Sequence, residues 1–343
     1  MLYFTSDYME GAHPNILKRL NETNLVHSVG YGLDEYSESA KEKIRKICQI
    51  PDADIFFLIG GTQTNSMVID SMLESYKGVI SADTGHINLH EAGSVEYTGH
   101  KIFLLPHDKG KIKADQISSE MEKYINDSNK DHMVMPGLVY ISQPTEYGTL
   151  YSISELKQLR QVCNKYNLYL FADGARLAYA LGSSENTVSL KDLAKLCDVF
   201  YIGGTKCGAF YGEAVVFPKH NTVPHFMTIM KQRGALAAKG RILGIQFDTL
   251  FSDNLYENLG KHAVSLADKI RAGLKSTDYT ETIKNTTNQI FILMNKRQAA
   301  KLSKYVQMSF WEEHSVDKVV MRLVTSWATT EEDTAELIDV LKK

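Results

Sequence analysis

Cysteine is scarce in this sequence: four residues, Cys48, Cys163, Cys197 and Cys207, are spread over 343 positions with no Cys-x-x-Cys pair. That spacing excludes a disulfide framework and a cysteine zinc site, and fits small buried thiols in a reducing compartment. Long apolar runs are missing too. None approaches the roughly 18 residues of a spanning helix, and the start, Met1 to Asn15, has no basic segment leading into an apolar one. The expectation is a cytoplasmic protein with no membrane partner. Charge of one sign is also lacking, since 38 Lys+Arg face 41 Asp+Glu for a formal net charge of −3. Such balance gives no electrostatic reason to bind nucleic acid, so the expected partner is a small molecule. Neither a Walker loop nor a Gly-x-Gly-x-x-Gly turn follows the first strand, which argues against a plain nucleotide-binding protein.

What is present is the composition of a folded chain, 43% hydrophobic with 23 Gly and 7 Pro, long enough for two unequal domains. Short apolar runs alternate with helical periodicity. Asp54–Ile59, Gly78–Ala82, Lys101–Leu105, Gly137–Ser142, Leu168–Ala172 and Asp198–Ile202 read as buried strands, with helical stripes such as Ile153, Leu156, Leu159 and Val162 between them. This is the grammar of an α/β fold with a mostly parallel sheet and helical crossovers, expected over residues 1–245. Residues 246–343 read as a small α+β domain. Its expected elements are a long helix from about Ile245 to Lys275, strands Gln289–Met294 and Lys318–Thr325, a helix Arg297–Val306, and a last helix with Thr329 and Glu332 in capping-box spacing.

Four features carry chemistry: Gly60-Gly61-Thr62 opening a helix, His86 in Asp83-Thr-Gly-His, Asp173 in Asp-Gly-Ala-Arg176, and Lys206 in Gly203-Gly-Thr-Lys. A glycine pair at a helix N-terminus presents free N–H groups and the positive dipole end to a phosphate. Asp173 ends an apolar run, where a carboxylate needs a cation or donors, and an internal pair with Arg176 is the simplest alternative. Lys206 follows another such run. A phosphate cradle, a ring to stack on a pyridine, a carboxylate for the ring nitrogen and a lysine for covalent attachment together match pyridoxal 5'-phosphate. In open sheets of this kind the ligand lies at the carboxyl ends of the strands, where Asp173 and Lys206 both fall. No metal site is expected.

The stretches Phe57–Asn65, Ala82–Ile87, Asp173–Leu177, Gly204–Lys206 and Met321–Thr325 resemble the threonine aldolase/aromatic amino acid β-eliminating lyase family of fold-type I pyridoxal-phosphate enzymes. The resemblance runs from Phe4 to Arg322. It implies a PLP-dependent transferase-like, three-layer αβα large domain, a small C-terminal domain, and a homodimer or homotetramer with shared active sites. It makes Lys206 the covalent lysine, Asp173 the partner of the ring nitrogen and His86 the stacking ring, with Gly60, Gly61 and Thr62 at the phosphate. Ser6, Arg176 and Arg322 would meet the substrate carboxylate, a task suited to guanidinium groups. Lys239 and Tyr31 would reach a neighbouring subunit's site.

One segment departs from the family. Where members that cleave threonine carry an Asn-Thr-His-Asn-like turn, this chain has Ser142-Gln-Pro-Thr-Glu-Tyr-Gly148, and Val324-Thr-Ser-Trp327 stands where Val-Thr-His is usual. The histidine near the substrate hydroxyl is missing. Glu146, Thr145, His90 or a phosphate-bound water are the substitutes. The expected reaction is aldol cleavage of an L-β-hydroxy-α-amino acid such as L-threonine or L-allo-threonine to glycine and an aldehyde. β-Elimination by a PLP-dependent lyase is the first alternative, because only the pocket around Cβ selects between the two. A catalytically silent cofactor scaffold is the second. Met227, Met230, Met294, Trp311 and Trp327 read as packing residues.

Overall fold

Strands buried on both faces are apolar along their length, and the apolar runs marked in the sequence fall on strands. In the computed structural model, which describes residues 1–342, the strands are, in chain order, β1 (Leu2–Tyr3), β2 (Asp54–Leu58), β3 (Lys77–Ala82), β4 (Ile102–Leu105), β5 (Met135–Ser142), β6 (Tyr169–Asp173), β7 (Val199–Gly203), β8 (Glu213–Phe217), β9 (Thr280–Glu281), β10 (Gln289–Asn295), β11 (Val306–Gln307), β12 (Ser309–Glu313) and β13 (Lys318–Val324). Seven form one sheet in the order β2-β8-β7-β6-β5-β3-β4. Its pairings are parallel except for the two made by β8, which runs antiparallel to β7 and β2.

Residue parity divides the strands between two cores. Val139, Ile141, Leu170, Phe200 and Val216 face helices Glu35–Cys48 and Ile153–Tyr166. Leu138, Tyr140, Phe171, Tyr201 and Val215 face helices Gly61–Met72 and Phe226–Gln232. Helix, sheet and helix therefore form three layers.

The second sheet, β12-β13-β10-β9, is antiparallel. Ile290, Ile292 and Leu323 pack there against Leu337 and against Ala267, Ile270 and Leu274 of helix Leu255–Leu274. The other half of that helix, Tyr256, Leu259 and Ala263, belongs to the core of the large unit, so one rigid rod joins the two. Leu2 and Phe4 also enter the small core, because β1 pairs in parallel with β11. Leu2 and Phe4 thus pack with the C-terminal unit, although sequence order grouped them with the large one.

Three local expectations are corrected. The single helix from Ile245 to Lys275 is two, Arg241–Leu250 and Leu255–Leu274. Asp253 and Asn254 lie between them with φ of 51° and 57°, a left-handed backbone that these two residue types tolerate best after glycine. The helix at Arg297 covers Lys296–Leu302, and Val306 leaves it for β11. The last helix is Glu331–Leu341, and its cap is Thr330, one residue later than read, which accepts from the Asp333 N–H at 3.0 Å. Met230 and Met294 are buried, but Met227 is exposed. No helix among the described residues is long and apolar enough to cross a membrane.

Candidate active site

Parallel strands end side by side, so the residues that follow them share one edge of the sheet. β6 ends at Asp173, and its parallel neighbour β7 ends three residues before Lys206. β5 leads to Glu146 and β3 to His86. A cavity of about 630 Å³ opens over this edge, lined by His86, His90, Glu146, Arg176 and Lys206 from the large unit and by Trp311 and Arg322 from the small one. A narrower recess beside it adds Asp173, Ser142 and Thr145. Of the four features singled out in the sequence, three therefore meet at one place.

Asp173 is buried and each of its oxygens accepts twice: Oδ2 from the Tyr140 hydroxyl at 2.5 Å and Asn65 Nδ2 at 3.0 Å, Oδ1 from the Tyr201 hydroxyl at 2.5 Å and the Ala175 N–H at 2.9 Å. Burial pushes its carboxyl up, but His86, the two phenols and the Ala175 N–H outweigh burial and hold it below the ordinary value. The carboxylate is charged and fixed. The pairing with Arg176 considered from the sequence does not form. Arg176 instead grips the fully buried Asp7, Nε to Oδ2 at 2.7 Å and Nη2 to Oδ1 at 3.1 Å, and Asn288 Nδ2 adds a bond at 2.9 Å.

The Lys206 amine has no hydrogen-bond or ion-pair partner among the described residues; its Nζ lies 6.0 Å from the centre of the Tyr8 ring. Burial lowers its pKa, and Arg176 lowers it further against the opposing pull of Asp7, Asp173 and Glu213. A lysine so placed is more readily neutral, the form that attacks a carbonyl. Glu213 braces the loop that carries it, with Oε1 accepting from Thr205 Oγ1 at 2.8 Å and Oε2 from the Gly204 N–H at 3.3 Å.

His86 opens a short helix, His86–Leu89, and its Nδ1 lies 2.7 Å from Glu91 Oε1, which also accepts from Asn65 Nδ2 at 2.7 Å. One chain of contacts thus runs from the half-buried His86 through the buried Glu91 and Asn65 to Asp173. Arg322 reaches the cavity from β13: Nε donates to Ser309 Oγ at 3.1 Å, Nη1 to Gln289 Oε1 at 3.0 Å, and the guanidinium lies 5.1 Å from the Trp311 ring centre. Burial and the neighbouring Arg176 pull Arg322 down to about 10, still cationic at neutral pH. Trp311, read from the sequence as packing, is a wall of the cavity, edge-on to Tyr147 and Phe291.

Gly60 caps helix Gly61–Met72 without any side-chain bond, so the first N–H groups of that helix are left for another acceptor. Thr62 is exposed there. Ser6 is buried but does not line the cavity, whereas Tyr8 does. Tyr31 and Lys239 also stand outside it. Both are exposed, and their segments touch, the Tyr31 N–H donating to the Ala238 carbonyl at 3.1 Å. Sequence reasoning missed Asp7, Asn65, Glu91, Tyr140 and Tyr201. The tyrosines were hidden because an aromatic ring satisfies a buried strand, and nothing local marks where its hydroxyl goes.

The sequence profile of the beta-eliminating lyase family matches residues 4–303. A low specificity L-threonine aldolase of Pseudomonas aeruginosa is 32% identical over 265 residues, 76% of this chain and 74% of that protein. One from a Pseudomonas species is 31% identical over 262 residues, again 76% and 74% of the two chains. The solved structure of Leishmania major threonine aldolase superposes with a TM-score of 0.96 at 40% identity, over 100% of this chain and 99% of that one. Aspartate aminotransferase of Thermus thermophilus, 13% identical with a TM-score of 0.71 over 99% of this chain and 90% of that one, shares the fold.

Proposed function

The chain belongs to the beta-eliminating lyase family, and from that membership we propose that it is a pyridoxal-phosphate-dependent lyase cleaving L-threonine and related L-β-hydroxy-α-amino acids to glycine and an aldehyde. The observation that carries the reading is the meeting of Lys206 and Asp173, on adjacent strand ends, with two guanidinium groups around one cavity. The residues present fit the cofactor. Among the described residues the lysine amine lacks a partner, Thr84 Oγ1 at the wall and Thr64 Oγ1 in the first turn of helix Gly61–Met72 are buried without one, and a Cβ placed on Gly60 would meet only open space.

Pyridoxal phosphate, when bound, supplies an electron-poor ring that accepts the pair released as the substrate's Cα–Cβ bond opens. Lys206 would hold it covalently, and Asp173, kept anionic, would hold a proton on its ring nitrogen. Gly60, Gly61 and Thr62 would offer N–H groups to its phosphate, and His86, steadied by Glu91, would pack against its face. Among the described residues Arg176 keeps Nη1 and Arg322 keeps Nη2 without a hydrogen-bond partner, and both guanidinium groups line the cavity, where they would serve the substrate carboxylate. Asp7 and Gln289 orient the two arginines. Trp311 and Tyr147 give the cavity an aromatic wall that would shield a bound substrate from water.

Tyr31 and Lys239 fit a site shared between copies in a homodimer or homotetramer, a reading supported by their exposure and adjacency outside the chain's own cavity. Four free, buried thiols fit the cytoplasm. The test is product analysis after incubation with L-threonine, L-allo-threonine, phenylserine and L-serine. Glycine and the matching aldehyde are expected, whereas pyruvate without glycine would overturn the reading in favour of β-elimination.

A further inference from the structure

If the chain cleaves β-hydroxy amino acids as proposed, some group must take the proton of the substrate hydroxyl, and the histidine usual at that place is missing from the turn Ser142–Gly148. Three side chains near the cavity compete for the task. Thr145 is occupied within its own turn: its Oγ1 lies 2.7 Å from Thr149 Oγ1, which in turn donates to the Lys109 carbonyl at 2.6 Å. The His90 ring sits between His86, at 5.4 Å, and Trp311, at 6.4 Å, and burial together with the charges of His86, Arg322 and Arg176 lowers its basicity.

Glu146 differs from both. Its Oε1 is anchored twice, by Ser142 Oγ at 2.7 Å and by the His86 N–H at 3.0 Å. Its Oε2 makes no hydrogen bond to another described residue, and the residue keeps 8% of its surface exposed at the cavity. Glu146 lines both the large cavity and the recess that holds Asp173 and Lys206. Its backbone is steadied as well, the carbonyl accepting from Gln289 Nε2 at 3.4 Å. A carboxylate with one oxygen tied down and the other free over the reacting edge is built to exchange a proton at a fixed position.

We propose that Glu146 takes the β-hydroxyl proton of the substrate, Oε1 being its anchor and Oε2 the oxygen that works. As the O–H bond breaks, its proton goes to Oε2 and its electron pair closes the aldehyde C=O. The Cα–Cβ pair stays with the amino acid and is matched by one proton at Cα, so the products are glycine and an aldehyde, and Glu146 is restored when it releases its proton. Burial raises the Glu146 pKa, Ser142 and the glutamate's own backbone lower it, and of the charges around it Asp173 raises and His86 lowers it. Arg176 and Lys206 share the recess, and the Tyr140 and Tyr151 phenols stand behind. The net upward direction brings the group nearer to neutrality, where a base is most useful.

Glu146→Gln keeps the shape and the Oε1 anchor but cannot take a proton. Glycine formation from L-threonine is expected to fall roughly 100-fold or more. The visible absorption of the bound cofactor and the dissociation constant for glycine, which has no hydroxyl, are expected to stay unchanged, and the acid limb of the kcat/KM profile to disappear. Parental activity in Glu146→Gln, or glycine affinity lost along with activity, would overturn the proposal. Should that variant not fold, Ser142→Ala decides. Removing a hydrogen bond to the charged form must shift the acid limb to higher pH, and an unmoved limb overturns the assignment. A parent protein that forms no glycine from any β-hydroxy amino acid sinks the proposed function itself, an outcome the variants cannot mimic.

Discussion

Asp7 has no exposed surface and lies two residues beyond an ordinary-looking Thr5, yet it fixes the orientation of Arg176. Burial pushes its carboxyl up, and Arg176, Lys206 and Asn288 overcome that to hold it below the usual range. A folded-state pKa below the unfolded one means stability that is present above the unfolded value, about pH 4, and is lost as pH falls through the lower folded value. Asp7→Asn is therefore expected to cost about 3–5 kcal/mol in chemical denaturation at neutral pH, since it leaves a buried guanidinium uncompensated, with the deficit shrinking below about pH 4. An unchanged midpoint at pH 7 would contradict the pairing. For Asp173→Asn the expected effect is on turnover, roughly 100-fold or more, because the anion that would keep the cofactor's ring nitrogen protonated, and the ring an electron acceptor, is lost. Steady-state kinetics on the cofactor-loaded variant checks it. Asp173 and Lys206 stand out in the sequence as polar residues ending apolar runs. Asp7, Glu91 and the two phenols do not, because their partners lie far along the chain.

Among the elements, β8 begins with a carboxyl pushed up to about 8, Glu213, chiefly by burial, with the Thr205 hydroxyl and the Lys206 charge offsetting part of it. A folded pKa above the unfolded one gives stability that is full below the unfolded value and is lost as pH rises through the folded one. Glu213→Gln, which stays neutral, should match the parent in melting temperature at about pH 4 and exceed it increasingly toward pH 8. A constant difference across that window would refute the assignment. Helices Leu177–Gly182 and Leu255–Leu274 meet backbone to backbone: a Cβ on Gly260 would stand 2.0 Å from the Ala178 carbonyl oxygen, and one on Gly182 would stand 2.5 Å from the Gly260 carbonyl carbon. Gly260→Ala is expected to destabilise by about 1–3 kcal/mol through forced separation of the helices, measurable by urea unfolding. The strands were legible because burial on both faces leaves an uninterrupted apolar signature. The break at Asp253-Asn254 was not, because the apolar periodicity continues across it.

For the whole molecule, the cavity is a joint product of two units, with Trp311 and Arg322 brought over the sheet edge from the small one. The chain's own cavity does not include Tyr31, Lys239 or Thr62. If the exposed patch of Tyr31 and Lys239 completes a neighbouring copy's phosphate site, then mixing inactive Lys206→Ala with impaired Lys239→Ala protein under exchange conditions should restore part of the activity. No recovery after confirmed subunit exchange would dismiss the shared site.

The sequence by itself determined the alternation of strands and helices, the positions where strands end in chemically active residues, and hence the cofactor class those residues match. These are local properties, set by burial of a face every second or every third to fourth residue. Only the tertiary structure decided that Arg176 pairs with Asp7, 169 residues away, rather than with Asp173 three residues away, that two tyrosines from different strands clamp the same carboxylate, and that Glu146 is left with one oxygen free. Those outcomes depend on which strand ends become neighbours in the sheet, and strand order is settled by packing of the whole core.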